Sequence, residues 1–252
     1  MTHTLALTGE RTLPGVAGEE YWYARHEAAY LWITTAYAER IAGSVVVEAG
    51  SGEGYGAALL RASGARVVVA LEHDDAAASH SATAYPDVAT TRANLAAMPL
   101  RPDSADVLVS LQVVEHLWDL AGFLRDARGV LRPGGLAVLS TPNRPVFSPG
   151  LARGAKPTNP FHVEEFDAEQ LSGLLSTAGY ADVVVRGLQH GPRLLAWEAD
   201  RGTSLVTAQV AAALSGRTDP GLASFVATVT ADDFVVGASD GAHDLLATAV
   251  RP

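Results

Sequence analysis

The chain has 252 residues, 48 % of them hydrophobic and 18 % charged, with no cysteine and a formal net charge of −10 at pH 7. That length and apolar content suit a globular fold with a real core and exclude a disordered chain. The missing thiols exclude disulfides, thiolate metal sites and a catalytic cysteine, and the acidic balance argues against nucleic acid held on a basic surface. No basic segment leading into an apolar run opens the chain, and no membrane-length apolar stretch follows. The expectation is therefore a cytoplasmic protein with no membrane partner.

In chain order, residues 1–20 carry Gly9, Pro14 and Gly15 and read as an irregular arm. Tyr21 to Ile41 reads as a helix, with Trp22, His26, Ala29 or Tyr30, Ile33 and Tyr37 on one face. That face suits a core stripe. Equally, the helix suits a lid whose Tyr21, Trp22, Tyr23 and His26 wall a site.

Val45, Val46 and Val47 form a buried strand that stops at Glu48, and Ala57 to Arg61 resumes as helix. Between them, Gly50, Gly52 and Gly54 let the backbone approach a ligand closely at a helix N-terminus. The spacing is not the Gly-x-Gly-x-x-Gly of dinucleotide folds, and the only lysine, Lys156, is too distant for a phosphate-cradling loop. A ligand with both a carboxylate and an ammonium fits better, with Glu48 beside the cation. The string Glu48-Ala49-Gly50-Ser51-Gly52-Glu53-Gly54 resembles motif I of the class I S-adenosylmethionine-dependent methyltransferases.

Arg66 to Leu71 is the second strand, ending in Glu72-His73 about 20 residues after the glycine turn, where a carboxylate can accept ribose hydroxyls. Asp75 to Tyr85 reads as helix and Val88 to Thr91 as the third strand. The stretch after it, Asn94-Leu95, resembles the family's adenine-binding signature, with Asn94 where an acidic residue is usual. An amide oxygen can still accept from the adenine amine. Val107 to Leu111 is the fourth strand, and it delivers Gln112, Glu115 and His116 to the crevice side of a doubly wound sheet.

Leu120 to Leu131 is helical, Arg132 to Gly135 a turn, and Leu136 to Ser140 the fifth strand. A long loop then carries His162, Glu164 and Glu165. Asp167 caps a helix that ends before Gly179, and Val183 to Leu188 is the sixth strand. Asp244 to Val250 supplies an antiparallel seventh.

The fold class is thus α/β, a doubly wound, seven-stranded Rossmann-like sheet with an N-terminal lid helix and a helical insertion before the last strand. One domain spans 1–252, with arm and lid at 1–42, cofactor-binding core at 43–190, insertion at 191–241 and last strand at 242–252. Helices at Thr203–Leu214 and Asp219–Val229 in the insertion either shape the acceptor pocket or form a homodimer surface.

Methyl transfer to a hydroxyl needs donor and acceptor held in line and a base within reach. His116 is the first candidate and His162 the second, with Glu115 adjacent and His26 and His190 on the rim. Glu10, Glu115, Asp119, His162, Glu164 and Glu165 could hold Mg²⁺, although no spacing is diagnostic and the metal ligands stay unassigned.

Longer strings narrow the likeness. Leu7 to Thr12, Tyr21 to His26, Gln112 to Asp119, Ser140 to Arg144, Asn159 to His162 and His190 to Leu194 resemble the mycobacterial O-methyltransferases of intracellular polymethylated polysaccharides. That resemblance implies S-adenosylmethionine as cofactor and a carbohydrate acceptor, a glucose or mannose unit. The alternatives are a small-molecule O- or C-methyltransferase acting on a quinone or phenol, and a catalytically silent cofactor-binding subunit. A nucleic-acid methyltransferase is disfavoured by the charge and by the lack of an Asn/Asp-Pro-Pro-Tyr tetrapeptide.

Overall fold

Alternation of side chains across two buried faces explains why the valine-rich runs form a central sheet. The computed structural model describes residues 12–217 and 219–252. Its strands are β1 (Val45–Ala49), β2 (Val67–Glu72), β3 (Ala89–Arg92), β4 (Ala105–Leu111), β5 (Leu131–Pro142), β6 (Ala181–His190), β7 (Phe234–Gly237) and β8 (Asp244–Val250). They form one sheet in the order β3-β2-β1-β4-β5-β8-β6-β7. Pairs from β3 through β5 are parallel, whereas β8 runs antiparallel to both β5 and β6.

The seven-strand expectation is corrected to eight. The extra strand, β7, pairs antiparallel with β6 at the sheet edge. Phe234 to Gly237 is too short to stand out from the insertion, and only the pairing partner reveals it. The antiparallel last strand was expected and is present.

Helices cover both faces. They are α1 (Glu20–Ala36), α2 (Ala38–Ile41), α3 (Tyr55–Ala62), α4 (Asp75–Ala84), α5 (Leu120–Val130), α6 (Arg144–Phe147), α7 (Ala168–Thr177), α8 (Pro192–Arg201), α9 (Leu205–Ser215) and α10 (Pro220–Val226). Val46, Val107 and Leu136 join one core with α1, α3 and the insertion helices. Their sequence neighbours Val47, Leu108 and Ala137 join a second core with α5 and α7. One-residue alternation along each strand therefore builds both layers. None of the described helices is long and apolar enough to cross a membrane.

The buried face of α1 is Tyr21, Ala24, Arg25, Ala28, Ala29, Tyr30 and Ile33, while Trp22, His26 and Tyr37 are only half-buried. The expected stripe was displaced because Arg25, a charged residue, is 4 % exposed and takes a core position. The insertion holds an unexpected helix, α8, which Pro192 opens and left-handed Gly202 closes.

Arg25 reaches from α1 to Asp244 on β8, donating Nε to Oδ2 at 2.5 Å and Nη2 to Oδ1. Both side chains are under 5 % exposed. Removing one partner leaves the other charge buried and alone, so Asp244→Ala should cost roughly 3–5 kcal/mol in chemical denaturation. The exposed pair Arg92–Asp75 supplies the control, since Arg92→Ala should cost no more than about 1 kcal/mol.

Candidate functional site

The strand order reverses between β1 and β4, and a crevice opens there beyond the strands' carboxyl ends. It holds a cavity of about 400 Å³ whose walls include Gly50, Gly52, Glu72, Gln112 and His116. The glycine loop is tied to β2 because the Gly50 and Ser51 N–H groups donate to Leu71 O at 2.8 and 3.0 Å. Gly50 has φ +82°, and a Cβ there would overlap Val113. Gly54, at φ +99°, caps α3 where a Cβ would overlap Ser81.

Gly52 N–H donates to Glu72 Oε2 at 2.8 Å, and Asp74 N–H donates to Oε1 at 2.8 Å. These bonds hold the Glu72 carboxylate on the cavity wall beside the glycine loop. Glu48 stands behind that wall, fully buried. Tyr30 OH donates to its Oε1, while Oε2 has no partner among the described residues. Burial pushes the Glu48 carboxyl up to about 8, against the opposing Tyr30 hydrogen bond.

Not every sequence candidate reaches the cavity. His73 is exposed away from it. Asn94 Oδ1 accepts the Ala96 N–H at 2.9 Å, capping a short turn, and Leu95 packs into the core. Tyr21, Trp22 and Tyr23 are absent from its walls, as are all residues of the insertion, whose Leu194, Leu205, Leu222 and Val226 pack in the α1 core instead.

At the β4 end, Gln112 adopts a left-handed φ of +54°. Its backbone N–H donates to Ser140 O at 3.0 Å. Its amide nitrogen donates to Ser140 Oγ at 3.1 Å and to Asp244 Oδ1 at 3.2 Å. Both amide protons are thereby engaged, and the amide oxygen is left to accept from a ligand.

His116 Nδ1 lies 3.0 Å from the Phe161 carbonyl oxygen. A carbonyl can only accept, so Nδ1 carries the proton and Nε2 the lone pair in the neutral ring. Nε2 is 3.9 Å from Glu115 Oε1. Glu115 is buried, and burial pushes its carboxyl up to about 8. Its Oε2 accepts from Thr141 Oγ1 at 3.0 Å.

His162 packs edge-on to His116 with ring centroids 5.1 Å apart. It lies behind the cavity wall, with Nδ1 2.8 Å from Glu165 Oε1 and Nε2 3.0 Å from Asn159 Nδ2. Ligand atoms of Glu115, His116 and His162 lie within 4.8 Å of one another. One carboxylate and two imidazoles do not fit Mg²⁺, which takes oxygen ligands. The other expected ligands are dispersed: Asp119 caps α5, Glu165 pairs with His162, and Glu10 lies outside the described residues.

Sequence reasoning missed Thr12 and Tyr55, which meet His26 on the cavity wall. Thr12 Oγ1 lies 3.1 Å from His26 Nδ1 and 3.0 Å from Tyr55 OH. It also missed the Arg25–Asp244–Gln112 chain, although an arginine at a core position of a helix is a usable sign of a buried acid. His190 is off the cavity, with Nε2 2.7 Å from Tyr21 OH and its ring stacked 3.8 Å from His243. Burial, helped by the Arg25 charge, pushes His190 down to about 4.

Residues 21–185 match the model of a methyltransferase domain. A protein of Mycobacterium tuberculosis, named a probable S-adenosylmethionine-dependent methyltransferase, is 46 % identical over 98 % of this chain and 90 % of its own length. A ubiquinone biosynthesis O-methyltransferase of Methylobacterium is 30 % identical over 69 % of this chain and 76 % of its own. Among solved structures, an S-adenosylmethionine-dependent methyltransferase from Mesorhizobium loti superposes with a TM-score of 0.60 at 20 % identity, over 90 % of this chain and 100 % of that one. At that identity the likeness shows the fold.

A carboxyl raised on folding stabilises below its unfolded value, and that stability is lost as pH rises through the folded value. Glu48→Gln should therefore gain on the wild type between about pH 4.5 and 8. Urea denaturation of both across that window is the check, and a flat difference would mean that Glu48 is ionised throughout.

Proposed function

This chain belongs to the S-adenosylmethionine-dependent methyltransferases, and on that premise we propose that it methylates a sugar hydroxyl of an oligo- or polysaccharide in the cytoplasm. The observation that carries this reading is the tautomer of His116, whose Nδ1 proton is committed to the Phe161 carbonyl, which makes Nε2 the basic nitrogen of a residue on the cavity wall. A sugar hydroxyl is a weak acid and needs such a base. The strings from Leu7 to Leu194 support the narrower reading, in which the acceptor is a unit of a polymethylated polysaccharide of the methylglucose lipopolysaccharide kind.

Bound S-adenosylmethionine supplies an electrophilic methyl group on a sulfonium. The residues present fit that molecule. A Cβ on Gly52 would meet nothing within 4 Å, so the loop faces open space. Glu72 keeps further lone pairs to accept ribose hydroxyls, and a cofactor ammonium beside Glu48 would favour the ionised form that burial otherwise opposes. The Gln112 amide oxygen can orient an N–H or O–H group at the β4 end. Asn94 and Leu95 stand at the carboxyl end of β3, and the adenine role rests on the resemblance alone.

With the cofactor bound, His116 Nε2 would take the proton of the acceptor hydroxyl as its oxygen receives the methyl group. Glu115 and His162 pack against His116 and hold its ring in place: the buried Glu115 carboxyl stands 3.9 Å from Nε2, and His162 meets the ring edge-on. A second reading, a quinone- or phenol-type acceptor, is favoured by the likeness to the ubiquinone biosynthesis enzyme.

Labelled methyl transfer to short α-linked gluco- and manno-oligosaccharides, and to a quinol, separates the two. Label on a sugar hydroxyl is the expected result; label on the quinol alone would replace the reading. His116→Ala should lower turnover by roughly 10²–10⁴-fold with cofactor affinity unchanged. Glu72→Ala should weaken cofactor binding by roughly 10- to 100-fold in calorimetry, the usual worth of charge-assisted hydrogen bonds.

A further inference from the structure

Two aromatic side chains near His116 are left in water. Trp118 is 91 % exposed and Phe161 is 53 % exposed. Large aromatic residues are usually mostly buried, so a nearly naked indole beside a candidate site asks for an occupant. Trp118 has no aromatic or cation partner among the described contacts.

Neither residue sits on a slack segment. Phe161 is anchored on both sides of its backbone: its carbonyl accepts from His116 at 3.0 Å and its N–H donates to Asn159 Oδ1 at 3.0 Å. Trp118 lies between two fixed points. Before it, the His116 N–H donates to Val113 O at 2.9 Å and closes a tight turn. After it, Asp119 Oδ1 accepts the Gly122 N–H at 2.8 Å and starts α5. Leu117 packs against the core beneath, so the backbone that presents the indole is held.

Phe161 forms part of the cavity wall, and Trp118 stands two residues after His116, another wall residue. The cavity, about 400 Å³, is at the small end for ligand sites and has room for one cofactor. A chain of sugars must therefore extend beyond it, past His116. A pyranose has an apolar face of C–H groups and hydroxyls around its edge, and such a face stacks on an aromatic ring while its hydroxyls stay in water.

We propose that Trp118 and Phe161 form a stacking platform at the cavity mouth for the glycosyl unit next to the one methylated. This inference rests on the saccharide reading of the acceptor. It makes the enzyme one that prefers an oligosaccharide to a single sugar, with selection for chain length exerted outside the cavity.

The test is methyl-transfer kinetics for wild type, Trp118→Ala and Trp118→Phe on glucose and on α-linked glucose and mannose di- and tetrasaccharides. Trp118→Ala should raise KM for the tetrasaccharide roughly tenfold, leave kcat and cofactor affinity unchanged, and leave the monosaccharide KM unchanged. Trp118→Phe should restore most of the loss. Addition of tetrasaccharide should also shift tryptophan emission in the wild type more than in Trp118→Phe. Equal KM values at every chain length would overturn the platform while keeping the saccharide reading. A lighter sedimenting species for Trp118→Ala with unchanged KM would assign the surface to a protein partner instead. If the wild type methylates no saccharide, the acceptor reading falls, and the platform with it.

Discussion

The contact between Arg25 and Asp244 is the constraint around which the crevice is assembled. Neither charge can reach water, so each is compensated inside the protein. Asp244 accepts from both Arg25 and Gln112, and the guanidinium lies over the rings of Phe147 and Trp22 at 4.8 and 5.6 Å. The first helix, the last strand and the turn after β4 are thereby locked together. The left-handed backbone of Gln112 is held by these bonds and by Ser140, which over-determine a conformation that a non-glycine residue otherwise avoids.

That arrangement also governs the charges nearby. Arg25 lowers the proton affinity of both His190 and His243, which burial has already lowered, so the stacked pair is neutral near pH 7. Glu48 and Glu115 show the opposite response to the same cause, because burial disfavours the charged form of acid and base alike. The crevice is lined from behind by groups that have given up their charge.

Much of the fold was legible in the sequence because its cues are local. Valine runs gave the parallel strands, and Asp167 with Gln170 formed the expected helix start, a capping box in which each side chain bonds the other's backbone. The spacing from the glycine loop to Glu72 anticipated a real hydrogen bond, Gly52 to Glu72. Features decided by distant partners were not legible. The edge strand β7 needs β6 to define it, while α8 was overlooked although Pro192 and Gly202 bracket it and Leu194 and Trp197 mark its inner face. At the site, Gln112, Glu115, His116 and His162 were found because they follow a strand end or sit in a long loop. Thr12, Tyr55, Arg25 and Asp244 were not, since each gains meaning only from a partner at least 14 residues away in the chain. Asn94 caps a turn and His73 faces solvent, so a cofactor role for either rests on the sequence reading alone.

Helix α1, which the sequence offers as a core stripe or as a lid, is fastened at three heights: Tyr21 to His190, Arg25 to Asp244 and Tyr30 to Glu48. Swinging it outward would strand a buried charge at a cost of several kcal/mol, which keeps such an open form below roughly one molecule in a hundred. The helix is a riveted wall, not a door. Spent and fresh cofactor must then be exchanged with this helix in place.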